Sequence, residues 1–267
     1  MGQDIKSLRT RIKSVDSTLH LTKAMGLVAS SKIRKATEAM ARSREYAAAL
    51  ADAVAALTQC AECKKSPYMQ DRGTGRTRIL VIAGDRGLAG GYNANIFRLM
   101  REYPDAEIIP LGKRSCERYS GEVNSSERFS AEEAMAFAKE QCADFAAGKY
   151  DRLCIASTEY VSMMTQTARI TQILPIALSQ APSRSYIFEP DELTILNAVV
   201  PTYVAGMAVA HARESFACEV VARRSAMDSA GKNAQEMIDS LQLAYNRARQ
   251  GAITQEITEI VAGSGNG

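Results

Sequence analysis

The fold is decided first by residues 3–57, QDIKSLRTRIKSVDSTLHLTKAMGLVASSKIRKATEAMARSREYAAALADAVAAL. This stretch contains no Pro and one Gly, and most of its residues are good helix formers. Apolar and small side chains recur in it as the two seams of a heptad pattern. At 1.5 Å per residue, one helix of this length measures about 80 Å, roughly twice the diameter of a globular domain of this many residues, so we expect it to protrude. The two seams are Ile5, Ile12, Leu19, Gly26, Ile33, Met40, Ala47 and Val54, and Leu8, Val15, Thr22, Ala29, Ala36, Ser43, Leu50 and Leu57.

A second long helix is predicted at the other end of the chain. From Pro201 to residue 261 there is no further Pro, and Pro201 suits the first turn of a helix. Met227, Ala234 and Leu241 share one face of it. Two long helices that flank a central insertion predict an antiparallel two-helix coiled coil.

The segment between the helices alternates strands with helices. Residues 59–76 are rich in turn formers and mark a boundary. Ser130 with Glu133 three residues later is a capping box. The alternation predicts a Rossmann-like α/β domain with a mostly parallel sheet. The predicted domains are 1–58, 59–200 and 201–267; the predicted strands are 78–84, 106–112, 150–158 and 161–176, and the predicted helices are 94–103, a short one ending at 119, and 131–147.

Composition indicates a soluble, ordered protein. The 267 residues are 46% hydrophobic, 24% charged and 6% aromatic, without Trp. We expect no apolar stretch near the ~18–20 residues that span a bilayer. The N-terminus lacks the apolar region of a signal peptide, so we expect a cytoplasmic chain with reduced thiols.

The net charge of +3 hides an asymmetry along the chain. Residues 1–50 hold ten Lys and Arg against four acids. Such a basic arm can bind nucleic acid, anionic lipid or an acidic protein. No aromatic residue lies between Met1 and Arg44 to stack on bases, and the heptad seam indicates a packed helix, so we do not expect a nucleic-acid partner.

No pattern indicates an active site, a metal site or a cofactor. The turn GDRGLAGGYN (84–93) follows a strand and precedes a helix, but its glycines match neither G-x-G-x-x-G nor a Walker A loop, so we interpret it as a tight turn that needs positive φ. Cys60 and Cys63 supply half of a zinc site, and we expect them to be inert thiols. His20 and His211, the only histidines, lie too far apart in the predicted stalk to act as a pair.

Two terminal segments, LHLTKAMGLVASSKIRKA (19–36) and YNRARQGAITQEITEIVAG (245–263), closely resemble the gamma subunit of the F-type ATP synthase. GDRGLAGGYNANIF (84–97), TQTARITQILPI (165–176) and YIFEP (186–190) fit the central domain of that family. The resemblance implies a non-catalytic rotor stalk inside a ring of alpha and beta subunits. It also implies contacts with the epsilon subunit and the membrane c-ring, and a peripheral position on the cytoplasmic side of a bacterial plasma membrane.

The resemblance also implies which residues contact partners: Lys23, Met25, Arg223, Arg249, Gln250, Thr254 and Glu256. Counting along an antiparallel stalk, we expect Met25 at the level of residues 240–250, beside Arg249 and Gln250. Gly26 stands where the family commonly has Glu. The alternative to a rotor is a coiled-coil scaffold or adaptor without motor function.

Overall fold

The computed structural model describes residues 2–73, 75–178 and 188–264. Two helices are far longer than the others: α1 (Gly2–Thr58) and α5 (Glu192–Ser264). The chain divides into two compact units. We call residues 1–29 with 223–267 the stalk unit and residues 30–222 the α/β unit.

The α/β unit contains the four strands that the sequence predicts. They are β1 (Thr77–Ile82), β2 (Glu107–Leu111), β3 (Arg152–Tyr160) and β4 (Gln166–Leu174), in the order β2-β1-β3-β4. β1 pairs in parallel with β2 and β3, and β4 pairs antiparallel with β3. The prediction of a mostly parallel sheet is therefore confirmed, with an antiparallel strand at one edge.

Both faces of the sheet are covered, which explains why β1 reads as a continuous apolar run. Leu80 and Ile82 point into a core that includes residues of α5 and of α4 (Ala131–Ala146). Ile79 and Val81 point to the opposite face, where α2 (Tyr92–Leu99) packs. The remaining short helix is α3 (Lys113–Tyr119), and two 3-10 turns, Glu62–Lys65 and Pro67–Met69, follow α1.

The predicted capping box starts α4. The backbone N–H of Glu133 donates to Ser130 Oγ at 3.1 Å, and the backbone N–H of Ser130 donates to Glu133 Oε2 at 2.7 Å. These two bonds satisfy donors that the first turn of a helix leaves unpaired. The part of YIFEP at residues 186 and 187 lies outside the described residues.

The last helix begins nine residues before its predicted start, so the boundary at 201 is wrong. Asp191 caps it: the Thr194 N–H donates to Asp191 Oδ1 and the Thr194 hydroxyl to Oδ2, both at 2.8 Å. Pro201 therefore lies inside α5 rather than in its first turn. An N-terminal cap of this kind stabilises a helix by about 1 kcal/mol, and it was the signal for the true start of α5.

The expectation that no long apolar stretch exists is also wrong. Residues 195–212 contain no Asp, Glu, Lys or Arg, and α5 is long and apolar enough to cross a bilayer. A long core helix passes the same test, so this one helix is weak evidence for a span. Leu196, Val200 and Val204 of this stretch are fully buried in the α/β core.

A tight backbone approach at Gly112 gives a stability prediction. Gly112 has φ of 93°, and a Cβ there would lie 2.0 Å from the carbonyl oxygen of Ala83. Gly73 also has φ of 93°, but nothing lies within 4 Å of its Cβ position. We expect Gly73→Ala to cost about 1–2 kcal/mol through backbone strain alone. Gly112→Ala adds a collision with main chain, so we expect it to cost at least about 2 kcal/mol more, measured by urea unfolding. Equal losses for the two variants would contradict this account.

Candidate functional site

The stalk unit is built by α1 and α5 packing side by side through small residues. A Cβ at Gly26 would lie 3.6 Å from Met227 Cβ, and a Cβ at Gly231 would lie 3.6 Å from Thr22 Oγ1. Four residues back along α1 thus correspond to four residues forward along α5. The two helices are antiparallel, as predicted from two long helices that flank a central insertion.

This register changes where the predicted contact residues lie. Met25 lies near the level of residue 228, and the same register places residue 250 opposite about residue 3. At 1.5 Å per residue the two levels are about 30 Å apart. The expectation that Met25 lies beside Arg249 and Gln250 is therefore wrong. It rested on Leu57 lying opposite about residue 208, whereas the observed register places Leu57 opposite about residue 196.

The predicted residues also differ in how accessible they are. Lys23 is exposed, Met25 is half-buried and Arg223 is buried, with 8% of its surface exposed. The four residues of the last segment are exposed. They are Arg249, Gln250, Thr254 and Glu256.

Within that segment, the Thr254 hydroxyl donates to the Gln250 carbonyl oxygen at 2.9 Å, so it is occupied by its own helix. The side chains of Arg249 and Gln250 are exposed to solvent.

Arg224 is a functional candidate that sequence reasoning missed. Its Nη1 donates to the carbonyl oxygen of Gly26 at 3.2 Å, from one helix to the other. A Cβ at Gly26 would stand 3.6 Å from the same nitrogen, which is an ordinary van der Waals distance, so an alanine would fit beside this bond. The Arg-Arg pair at 223–224 was the available signal in the sequence.

The stalk unit also exposes large apolar side chains on both helices. Ile253, Ile257, Ile260 and Val261 follow the i, i+4, i+7, i+8 spacing of one helix face and are 43–71% exposed. On α1, Leu21, Leu27 and Val28 are 58–68% exposed. An exposed apolar stripe marks a surface that binds protein. Sequence reasoning treated these residues only as helix formers.

In the α/β unit, the glycine-rich turn is organised by Asp85. Gly90 has the positive φ expected of a tight turn, at 57°. Burial opposes ionisation of Asp85, but hydrogen bonds outweigh it, so the pKa of this carboxyl lies below its ordinary value. The turn is thus tied down by its own carboxylate. The donors are the Ser125 hydroxyl and the backbone amides of Glu127, Lys113 and Ser126.

The cysteines and histidines stay in separate local environments. Burial, with Cys60 nearby, raises the pKa of the Cys63 thiol to about 11, so little thiolate forms at neutral pH. His211 Nδ1 lies 2.8 Å from Ser157 Oγ, and burial lowers the pKa of this imidazole. His20 lies 3.7 Å from Asp16 on the exposed face of α1. Across the described residues, no three His, Cys, Asp or Glu side chains gather into a group that could hold a metal ion.

Sequence comparison finds one family along almost the whole chain. A family model described as ATP synthase matches residues 4–265. The ATP synthase gamma chain of Ruminococcus albus is 36% identical over 282 residues, covering 98% of each chain. The chain belongs to the ATP synthase gamma-chain family. A sodium ion specific gamma chain from Acetobacterium woodii is 35% identical over 301 residues, covering 99% of each chain.

Solved structures agree with the gamma-chain fold. The match from the mitochondrial ATP synthase of Euglena gracilis has a TM-score of 0.68 at 17% identity and covers 98% of this chain and 94% of that one. The match from the central stalk and c-ring structure of Tetrahymena thermophila has a TM-score of 0.63 at 18% identity and covers 79% and 99%. The family resemblance seen in the sequence is therefore confirmed. A gamma chain is a central-stalk subunit, which disfavours the scaffold alternative.

The close contact at Gly26 gives a second stability prediction. Glycine costs about 1 kcal/mol relative to alanine inside a helix, and the Cβ of Gly26→Ala would have only ordinary van der Waals neighbours. We expect Gly26→Ala to slow hydrogen exchange of the surrounding amides about fivefold. Gly231→Ala, whose Cβ also has ordinary neighbours, should give the same gain and serves as the comparison. Faster exchange in Gly26→Ala alone would mean that the Arg224 bond to Gly26 depends on the glycine.

Proposed function

We propose that this chain is the rotating central stalk of an F-type ATP synthase, coupling ion flow through the membrane ring to ATP synthesis or hydrolysis on the beta subunits. The observation that carries the proposal is the stalk unit itself: two antiparallel helices that leave large apolar side chains exposed. Such a surface is unfavourable in water and is expected where protein surrounds it. A ring of alpha and beta subunits would supply those surroundings.

In this proposal the stalk acts by making different contacts with each of three identical beta subunits. A pair of helices has no threefold symmetry, so three identical beta subunits around it meet different side chains. Differential contact shifts each beta subunit toward a different conformation and nucleotide affinity. Rotation exchanges these states. In this proposal the chain itself is not catalytic, because nucleotide chemistry occurs on beta.

The exposed end of α5 is proposed to hold the principal contact with beta. Arg249 and Gln250 offer directional hydrogen-bond donors to an acidic loop of beta. Glu256 adds a hydrogen-bond acceptor between one and two helical turns further along α5. Hydrogen bonds to a charged group are worth about 1.5–3 kcal/mol, and bonds of this size must break and reform at every step of rotation. Lys23, Met25 and Arg223 are proposed to belong to a second contact level, about 30 Å along the stalk.

The α/β unit is proposed to face the membrane side of the complex. Its proposed partners are the epsilon subunit and the c-ring. The chain would then be a peripheral protein on the cytoplasmic side of a bacterial plasma membrane, held there through its partners.

Assembly tests the proposal directly. We expect a tagged copy of the full chain, expressed with alpha and beta subunits, to purify with three of each and to stimulate ATP hydrolysis. A matched variant carrying Ile253→Asp and Ile257→Asp should assemble poorly, because charges on the exposed stripe are costly to bury. The rotor assignment would be refuted if the tagged chain purified without alpha and beta subunits. It would also be refuted if the Ile253→Asp/Ile257→Asp variant assembled as well as the unchanged chain.

The register of the stalk predicts that two contact levels act independently. Met25→Lys should slow ATP hydrolysis because the added ammonium group forms ion pairs with acidic groups of beta. Gln250→Leu should slow it because hydrogen bonds to beta are lost. We expect each variant to be slower by about three- to tenfold. Sites this far apart combine additively, so the double variant should show the product of the two effects.

ATP hydrolysis and ion pumping are measured together on the reconstituted complex. Arg34→Gln, an exposed position on α1 in the α/β unit, is the control and should match the wild type. Wild-type rates in both single variants would overturn the assignment of these residues as contacts. A double variant no slower than the slower single one would overturn their independence.

A further inference from the structure

A groove in the α/β unit has the dimensions of a small-molecule site. It lies between α1, α4 and α5 and has a volume of about 590 Å³. Ligand sites in proteins measure about 300–1,000 Å³ and combine an apolar lining with a few polar groups. A groove of this size suits a small molecule better than a second helix, which needs a longer trough.

One end of the groove is cationic. Lys35 and Arg42 lie on the same face of α1, two helical turns apart. Arg213 of α5 lines the groove at the same level. Arg213 donates to the backbone carbonyl oxygens of Glu127 and Phe129 at 3.0 and 3.1 Å, just before α4 begins.

None of the three cations is neutralised at this end. In the described part of the chain neither Lys35 nor Arg42 forms an ion pair, and the residues that line the groove include no Asp or Glu. The first turn of α4 also lines this end, through Ala131, but Glu132 and Glu133 in that turn offset the positive end of its helix dipole, so the cationic character comes from the three side chains.

The other end of the groove is apolar and aromatic. Gly206 of α5 lies against Tyr46 and Leu50 of α1, which sets the local register: a Cβ at Gly206 would lie 3.3 Å from Tyr46 Cε1. Val209 and Met135 add apolar surface to the groove lining. The Tyr46 side chain is 55% exposed and leaves its ring available to a ligand.

We propose that this groove binds an amphipathic organic anion, such as a carboxylate with a medium-length alkyl chain. The carboxylate lies between Lys35 and Arg42, and the alkyl chain runs toward Tyr46 and Met135. The separation of charge at one end from apolar surface at the other selects a ligand with the same polarity. An inorganic anion would use only the cationic end, and a neutral alcohol only the apolar end.

Calorimetry of the full chain with sodium decanoate below its micelle concentration tests the proposal. We expect saturable binding of one decanoate per chain, and weaker binding of butyrate by about two- to fourfold per methylene lost from the groove. Decanol, which lacks the charge, should bind at least about fivefold more weakly than decanoate.

Variants at the two ends should separate head from tail. Lys35→Gln and Arg42→Gln should each weaken decanoate and butyrate alike, by about two- to fivefold. Met135→Ala should weaken decanoate at least about threefold and leave butyrate within twofold. Arg34→Gln removes the same charge from the neighbouring residue, which is 89% exposed and pairs with Glu38, and should leave both affinities unchanged.

Several results would overturn the proposal. They are multiple weak sites without saturation, an equal loss in Arg34→Gln and Lys35→Gln, and binding of an acidic amphipathic peptide where decanoate does not bind. Circular dichroism of each variant checks that the fold is retained. Because the test uses the chain alone, its outcome is separate from that of the rotor proposal.

Discussion

The close approach of two helices at small side chains is the constraint on which the stalk depends. Gly26 meets Met227, and Gly231 meets Thr22 and Leu19. A Cβ at either position would already be in van der Waals contact with the facing helix, so side chains larger than alanine would have to displace these neighbours. The Arg224 side chain reaches the Gly26 carbonyl oxygen at the same place. Glycine weakens each helix by about 1 kcal/mol, so the helices hold through their packing more than through their own propensity. A thin shaft is thus obtained at the expense of local helix stability.

The architecture could be predicted from the sequence because its signals are long or repeated. The heptads of α1 extend over most of the helix, and β1 reads as a strand because both of its faces are buried. The capping box at Ser130 and Glu133 is a local signal that only side-chain hydrogen bonds can produce. Each of these patterns follows from one element and its immediate surroundings, so no knowledge of distant contacts was needed.

The features that could not be predicted from the sequence depend on contacts between helices and strands that are distant in sequence. The start of α5 is set by Asp191, and a single cap was outweighed in the sequence by Pro201, which usually begins a helix rather than lying within it. With the helix start placed too late, Leu57 was set opposite about residue 208 instead of about 196, and Met25 was put beside the wrong part of α5. The bond from Arg224 to Gly26 and the groove at Lys35 and Arg42 join segments far apart in sequence, and no local pattern reveals either.

The two units differ in how their apolar residues are buried. The stalk unit exposes Ile257 and Ile260, which only a surrounding protein can cover favourably. The α/β unit buries its apolar residues on both faces of a sheet, and its turns are held by groups such as the Asp85 carboxylate. The stalk unit, with apolar surface left exposed on its helices, gains part of its stability from whatever protein covers that surface. Under the proposed rotor function, the contacts that stabilise the stalk unit would be the same contacts that rotation changes, so its stability in the complex would depend on its angular position.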